Sequence, residues 1–359
     1  MKKILCLIDS MGSGGAQRQM TGLACLLHKA GYGVNVLWYH SEDFYKSSLE
    51  ENGVEYSNPV LNGLAAKACG VLKAIRKYDP DVVISYLDGP CFIACLGKIL
   101  GYRYRLIVSE RNTTQNLSIK EKLKFLLYRY ADYIVPNSVS QQKFIEKNFP
   151  DLINKTRTIT NFVDLETFSP QNHEADPECI KMVVVARVVE QKNVLNFISA
   201  VRKVVDAGIC LKVDWYGLPF DEAYYNECLE TVERNGLTEI VSFRGEIKDV
   251  VSIYRTADVF CLPSIYEGFP NTVCEAMSCG LPILCSNVCD NPYIVDEGVN
   301  AFLFDPMSAN SISEAVIRFC RMSAEEKLSM GSASRKIAEK TFSMDVFIQK
   351  YKSIINQIK

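Results

Sequence analysis

The stretch Val259-Phe260-Cys261-Leu262-Pro263-Ser264-Ile265-Tyr266-Glu267-Gly268-Phe269-Pro270-Asn271-Thr272-Val273-Cys274-Glu275-Ala276-Met277 reads as a buried strand, a loop and the start of a helix. Glu267 and Glu275 stand eight positions apart and bracket the turn into that helix. Carboxylates accept hydrogen bonds from sugar hydroxyls. Free N–H groups at a helix start favour phosphate. A nucleotide-sugar carries both kinds of group. A helix that merely shows Glu275 to solvent fits less well. Val273, Ala276, Met277 and Gly280 are apolar or small, so the helix reads as buried, and a buried carboxylate needs partners.

The same strand–loop–helix unit repeats along the chain. Apolar runs at 4–8, 34–38, 82–86, 105–108 and 133–135 read as strands. Helical periods over about 16–30, 64–78, 90–100, 119–131 and 139–148 separate them. A second series has strands at 182–185, 211–215, 240–243, 259–262, 282–285 and 301–304. Its helices cover about 192–206, 221–234, 271–279 and 309–321, and helical material over 324–341 and 343–358 ends the chain. Such alternation is α/β grammar, with a parallel sheet covered on both faces. Between the series, 161–177 carries Pro170, Asn172, His173, Asp176 and Pro177 and reads as a linker. The expected division is 1–165, 166–341 and a final helical segment 342–359. The two Rossmann-like, doubly wound domains would face a central cleft, each offering loops at the carboxyl ends of its strands.

Composition narrows the class. Of 359 residues, 48% are apolar and 23% charged, as in a soluble globular enzyme, and the length favours two cores. No apolar run is long enough to span a membrane. The N-terminal apolar run stops at Asp9, too soon for a signal peptide, and reads as the first strand. The 14 cysteines form no Cys-x-x-Cys pair, and most lie in apolar runs, which fits a reducing cytosol better than a disulfide framework. His28, His40 and His173 are scattered and there is no Asp-x-Asp pair, so no metal site is expected. The first half of the chain is net basic and the second net acidic. Ordinary surface variation accounts for that, as does an anionic surface facing the first half.

Two further loops carry chemistry. Gly12-Ser13-Gly14-Gly15-Ala16-Gln17-Arg18 follows the first strand, where glycines allow close approach of backbone to a ligand. It is not a dinucleotide fingerprint: position 17 is Gln, and the second strand ends in Trp38-Tyr39-His40 with no acid for a ribose. Ala186-Arg187-Val188-Val189-Glu190-Gln191-Lys192-Asn193 follows the first strand of the second series, with Arg187 ending the strand and Lys192 beginning the next helix. Two cations on one such loop can clamp a diphosphate.

Together these motifs resemble retaining glycosyltransferases of family 4, which have the GT-B fold. The Glu-x7-Glu signature matches Glu267 and Glu275, the Gly-Gly loop Gly14 and Gly15, and the phosphate-binding pair Arg187 and Lys192. Asn161-Phe162-Val163-Asp164 with Phe168 and Pro170 is similar to the family's domain-junction turn. The resemblance implies that Glu275 binds the donor ribose and Glu267 the hydroxyls of the transferred sugar. Backbone groups of Gly268, Phe269, Pro270, Asn271 and Thr272 would hold sugar and phosphate oxygens, and Ile247, within Gly245–Lys248, would meet the base. It also implies that the last helix returns to pack on the first domain. Many family members have a His in the loop after a central strand of the first domain. Here that loop reads Val108-Ser109-Glu110-Arg111-Asn112, so Glu110, Arg111 or Asn112 stands at the reaction centre instead. Ala186 replaces a common Gly, a change tolerated if its φ is negative.

The expected activity is metal-independent transfer of a hexose or N-acetylhexosamine with retention, catalysed by Glu267, Arg187 and Lys192. The donor would be a nucleoside-diphosphate sugar, with uridine diphosphate the carrier by family frequency. The acceptor would be a hydroxyl of a glycan or lipid-linked saccharide in bacterial cell-surface polysaccharide synthesis. No cofactor and no nucleic-acid partner are expected, and the enzyme would be cytoplasmic. Residues 117–129 are basic and apolar at helical spacing. They fit a helix packed on the first sheet, or an interfacial helix on the inner face of the plasma membrane. A nucleotide-sugar epimerase of the same architecture is the rival reading, disfavoured by the Arg187/Lys192 and Glu267/Glu275 combination.

Overall fold

The computed structural model describes residues 1–171, 176 and 178–357; Asn172, His173 and Pro177 of the expected linker lie outside the described residues. The chain divides into two compact units. The division falls between Phe162 and Val163 and again between Ser343 and Met344, so the last helix belongs to the first unit.

In chain order the first unit runs β1 (Lys3–Leu7), α1 (Gly15–Lys29), β2 (Gly33–Leu37), α2 (Lys46–Glu51), β3 (Glu55–Ser57), α3 (Leu64–Tyr78), β4 (Val82–Tyr86), α4 (Asp88–Ile99), β5 (Arg105–Glu110), α5 (Ile119–Tyr128), β6 (Tyr133–Pro136) and α6 (Val139–Asn148). The second unit runs β7 (Ile180–Val185), α7 (Val194–Asp206), β8 (Leu211–Tyr216), α8 (Glu222–Arg234), β9 (Val241–Gly245), α9 (Val250–Arg255), β10 (Val259–Leu262), α10 (Asn271–Ser278), β11 (Ile283–Ser286), α11 (Asn291–Ile294), β12 (Ala301–Phe304), α12 (Ala309–Cys320) and α13 (Ala324–Phe342). The final α14 (Met344–Gln357) returns to the first unit. The short α2, β3, α9 and α11 were not anticipated, because three to six residues give too few periods to register.

Each unit holds one parallel six-stranded sheet, ordered β3-β2-β1-β4-β5-β6 in the first and β12-β11-β10-β7-β8-β9 in the second. Both are α/β, doubly wound sheets. In β1, Ile4 and Cys6 face α1 and α14, while Leu5 and Leu7 face α3, α4 and α5. That two-residue alternation, with both faces covered, explains the near-continuous apolar strands. In the second unit Met182 and Val184 of β7 face α7 and α12, and Val183 faces α10. The segment expected to be a sparse linker is partly core: Val163 and Phe168 are buried with Phe260 and Met277.

One cysteine expectation is corrected. Cys179 and Cys210 form a disulfide. They immediately precede the paired strands β7 and β8, whose register sets Ile180 opposite Leu211. The strand pairing, invisible in their spacing of 31, makes them neighbours. The other cysteines are free and mostly buried.

The helix bearing Glu275 is braced by α13. A Cβ added at Gly331 would lie 2.3 Å from the Gly280 carbonyl oxygen, so the two backbones touch. Arg335 donates to the carbonyls of Phe168 and Ser278 and fastens the same seam. Gly331→Ala should therefore lower stability by about 1–3 kcal/mol through overpacking, read as a fall in the thermal or urea midpoint.

Candidate functional site

In the second unit the loops that follow β7, β10 and β12 are tied together. The 3-10 turn Glu190–Lys192 follows β7. The Ile265 N–H donates to the Gln191 carbonyl at 2.9 Å, and Gln191 Nε2 to the Tyr266 carbonyl at 2.9 Å. Asn193, left-handed at φ 60°, is buried and gives its amide to the carbonyls of Pro263 and Pro306. Lys192 thus ends a 3-10 turn two residues before α7, rather than beginning that helix.

The turn aims Lys192 at Glu267. Lys192 Nζ and the Ser264 hydroxyl both donate to Glu267 Oε1. The Glu267 N–H meets Cys289 Sγ at 3.4 Å. Glu267 is buried, and its charge is compensated by this pairing. Glu275 is also buried, on α10 between Val273 and Met277, and Tyr254 Oη donates to it at 3.5 Å. α10 begins at Asn271 with Pro270 before it and no side-chain cap. Gly268, Asn271 and Thr272 are partly exposed, while Phe269 and Pro270 are buried.

Arg187 lies two residues beyond β7, exposed, with its guanidinium 5.6 Å from the centre of the Phe220 ring. Ala186 lies outside the left-handed region, so its methyl group is accommodated. Gly217, at φ 152°, follows β8, and a Cβ there would come within 2.0 Å of the Ala186 carbonyl oxygen. Ile247 is half-buried in the loop after β9. Among the described residues no group of three or more His, Cys, Asp or Glu is placed to hold a metal ion.

The first unit holds Gly14 and Gly15, both exposed, at the uncapped start of α1. A Cβ at Gly14 would meet Gln17 Oε1 at 2.4 Å. The residues after β5 separate sharply. Glu110 is only 2% exposed and accepts from Lys124 Nζ and Tyr128 Oη, both at 2.8 Å. The expectation that Glu110 stands at the reaction centre is therefore corrected: its carboxylate is committed to the core under α5. Burial would lower the Lys124 pKa, but Glu110, Glu121 and Asp88 outweigh it and raise it. Arg111 stacks on Tyr86 at 3.7 Å and donates to Asn161 Oδ1 at 2.7 Å and Tyr351 Oη at 3.2 Å. Asn112 is exposed.

Sequence reading gave no part to Ser264, Tyr254 or Cys289, and none individually to Gln191 and Asn193. Gln191 and Asn193 lay inside a quoted motif but match no spacing rule, and Ser264 lies between the strand and the Glu267–Glu275 bracket. Cys289 lies 22 positions from Glu267, and only the adjacency of β10 and β11 joins them.

Comparison with known proteins agrees with this fold. The family model described as Glycosyltransferase Family 4 matches residues 13–167, and the model described as Glycosyl transferases group 1 matches 166–337. The chain is a family 4-like glycosyltransferase with the GT-B fold, a hexosyltransferase. A Campylobacter jejuni relative, N-acetylgalactosamine-N,N'-diacetylbacillosaminyl-diphospho-undecaprenol 4-alpha-N-acetylgalactosaminyltransferase, is 26% identical over 80% of this chain and 81% of its own. The UDP-Gal:alpha-D-GlcNAc-diphosphoundecaprenol alpha-1,3-galactosyltransferase of Escherichia coli is 28% identical over 46% of this chain and 45% of its own. Among solved structures, Anabaena Alr3699/HepE in complex with UDP superposes with a TM-score of 0.84 at 18% identity, covering 99% of this chain and 100% of that one. The Campylobacter jejuni and Escherichia coli relatives are glycosyltransferases named for lipid-linked saccharides. No helix among the described residues is long and apolar enough to cross a membrane.

Two outcomes test the geometry. Gly217→Ala should displace the Ala186–Arg187 backbone and lower stability by about 1–3 kcal/mol through overpacking, read as a fall in the urea midpoint. Glu110→Gln should cost about 3 kcal/mol of stability by stripping a buried cation of its main partner.

Proposed function

We propose that this chain transfers a hexose or N-acetylhexosamine from a UDP-sugar, with retention and without a metal ion. The acceptor is a hydroxyl of a glycan or lipid-linked saccharide in the synthesis of bacterial surface polysaccharide. The enzyme works in the cytoplasm, at the inner face of the plasma membrane. The observation that carries this reading is the Lys192–Glu267 pair beside the uncapped start of α10. It sets a cation for phosphate and a carboxylate for sugar hydroxyls side by side.

In this reading Glu275 accepts from the ribose hydroxyls, and Glu267 from the sugar that moves. The backbone from Gly268 to Thr272 holds sugar and phosphate oxygens, and Ile247 borders the base. The UDP complex of Alr3699/HepE and the UDP-Gal donor named for the Escherichia coli relative support the choice of carrier. The bond from the anomeric carbon to the diphosphate oxygen breaks, and a bond to the acceptor oxygen forms on the same face. The acceptor proton passes to the departing phosphate oxygen. Arg187 and Lys192 offset the charge that builds on the diphosphate.

Four measurements bear on the proposal. Uridine diphosphate and UDP-sugars should raise the thermal midpoint with ligand concentration; no shift with any nucleoside diphosphate would remove the donor site. Lys192→Ala should lower turnover roughly a hundredfold to a thousandfold, in buffer containing a chelator as well as without it. Glu275→Gln should weaken nucleotide binding roughly tenfold or more by loss of a charge-assisted hydrogen bond. A product whose anomeric configuration by NMR is inverted relative to the donor would overturn retention.

A further inference from the structure

We propose that Phe220 is a platform on which the base of the donor nucleotide stacks. This deepens the reading of Arg187 as a diphosphate cation and rests on it. Phe220 lies in the loop between β8 and α8 and is 72% exposed, with Leu218 beside it 50% exposed. Neither lies in the hydrophobic core of the second unit or packs against it. An exposed apolar side chain is ordinary by itself. This one sits on a backbone that is fixed from both sides.

The Val188 N–H donates to the Leu218 carbonyl at 3.0 Å, and the Phe220 N–H to the Val188 carbonyl at 3.1 Å. Val188 and Pro219 thereby form a short parallel bridge. On the other side the Gly217 N–H donates to the Gly245 carbonyl at 2.8 Å. Asp221, next after Phe220, caps α8 by accepting from the Tyr224 N–H. An aromatic side chain has few rotatable bonds, so on such a backbone it loses little freedom when a ligand arrives.

The neighbouring loops name the ligand. β8 lies between β7 and β9 in the sheet, so the Phe220 loop runs between that of Arg187 and that of Ile247. In the donor reading the first meets the diphosphate and the second borders the base. A nucleoside diphosphate sets its base one ribose away from its phosphates. The Phe220 ring centre is 5.6 Å from the Arg187 guanidinium, on the loop that leads from the phosphate cation toward the base loop. Guanidinium groups and bases both pack on aromatic faces. Every base has such a face, so the platform adds affinity without choosing the base.

Calorimetry on the full chain tests this with two probes, uridine diphosphate and its 5,6-dihydrouridine analogue. The analogue keeps the hydrogen-bonding edge and the diphosphate but has a puckered, non-aromatic base. Wild type should bind uridine diphosphate more tightly than the analogue. Phe220→Ala should weaken uridine diphosphate roughly tenfold and the analogue far less, so that the variant scarcely tells them apart. Phe220→Trp should keep the wild-type preference, and Phe220→Leu, apolar but without a ring, should lose it. Unchanged uridine diphosphate affinity in Phe220→Ala overturns the platform. So does an equal loss for both probes, which would mean that the ring only steadies Arg187. Wild type that binds no uridine diphosphate sinks the donor reading and the platform with it, whereas the two preceding outcomes leave the donor reading standing.

Discussion

The second unit is organised around a buried carboxylate that must not be left alone. Glu267 is almost without solvent, and an unpaired charge there would cost several kcal/mol. Lys192 and Ser264 answer it, and to do so the loop after β7 must meet the loop after β10. Gln191 and Asn193 close that meeting through backbone carbonyls. The left-handed Asn193 then turns the chain into α7. One electrostatic requirement thus places a cation, a carboxylate and the start of α10 at one edge of the sheet.

The first unit has a buried pair with a different consequence. Glu110 and Lys124 satisfy each other inside the layer between β5 and α5. Their charge is hidden, and the chain must look elsewhere for a polar group after β5. Arg111, next along, is held by Tyr86, Tyr351 and Asn161, so its guanidinium has a defined place. Alternate residues on a strand point to opposite faces, and the end of β5 keeps that parity: Glu110 meets Tyr128 in one face's core, and Arg111 meets Tyr86 and Tyr351 in the other's. Adjacent Glu110 and Arg111 therefore serve unlike ends, one structural and one open to the loop.

Burying Lys124 also shapes the surface. With its one inward cation paired, α5 keeps Lys120 and Lys122 outside, flanking Ile119, Leu123 and Leu126. An amphipathic helix ordinarily hides its apolar stripe; this one buries Phe125 and Tyr128 and still shows a second apolar stripe. Of the readings of residues 117–129, packing on the first sheet is met by Phe125 and Tyr128, and the helix also shows apolar Ile119, Leu123 and Leu126.

The amino-acid sequence by itself determined the βα alternation, the two-unit organisation and the loops that carry chemistry. Those features are local: strand alternation, helix period and turn residues act over a few neighbours. The spacing of Glu267 and Glu275 was legible for the same reason, since one loop and one helix contain both. Only tertiary structure decided that Lys192 answers Glu267, that Cys289 touches its amide, that Cys179 bonds Cys210, and that Glu110 is hidden while Arg111 is not. Each of those depends on which strands become neighbours and which side of a sheet a helix covers. That choice is made by packing across tens of residues, and no single stretch of sequence records it.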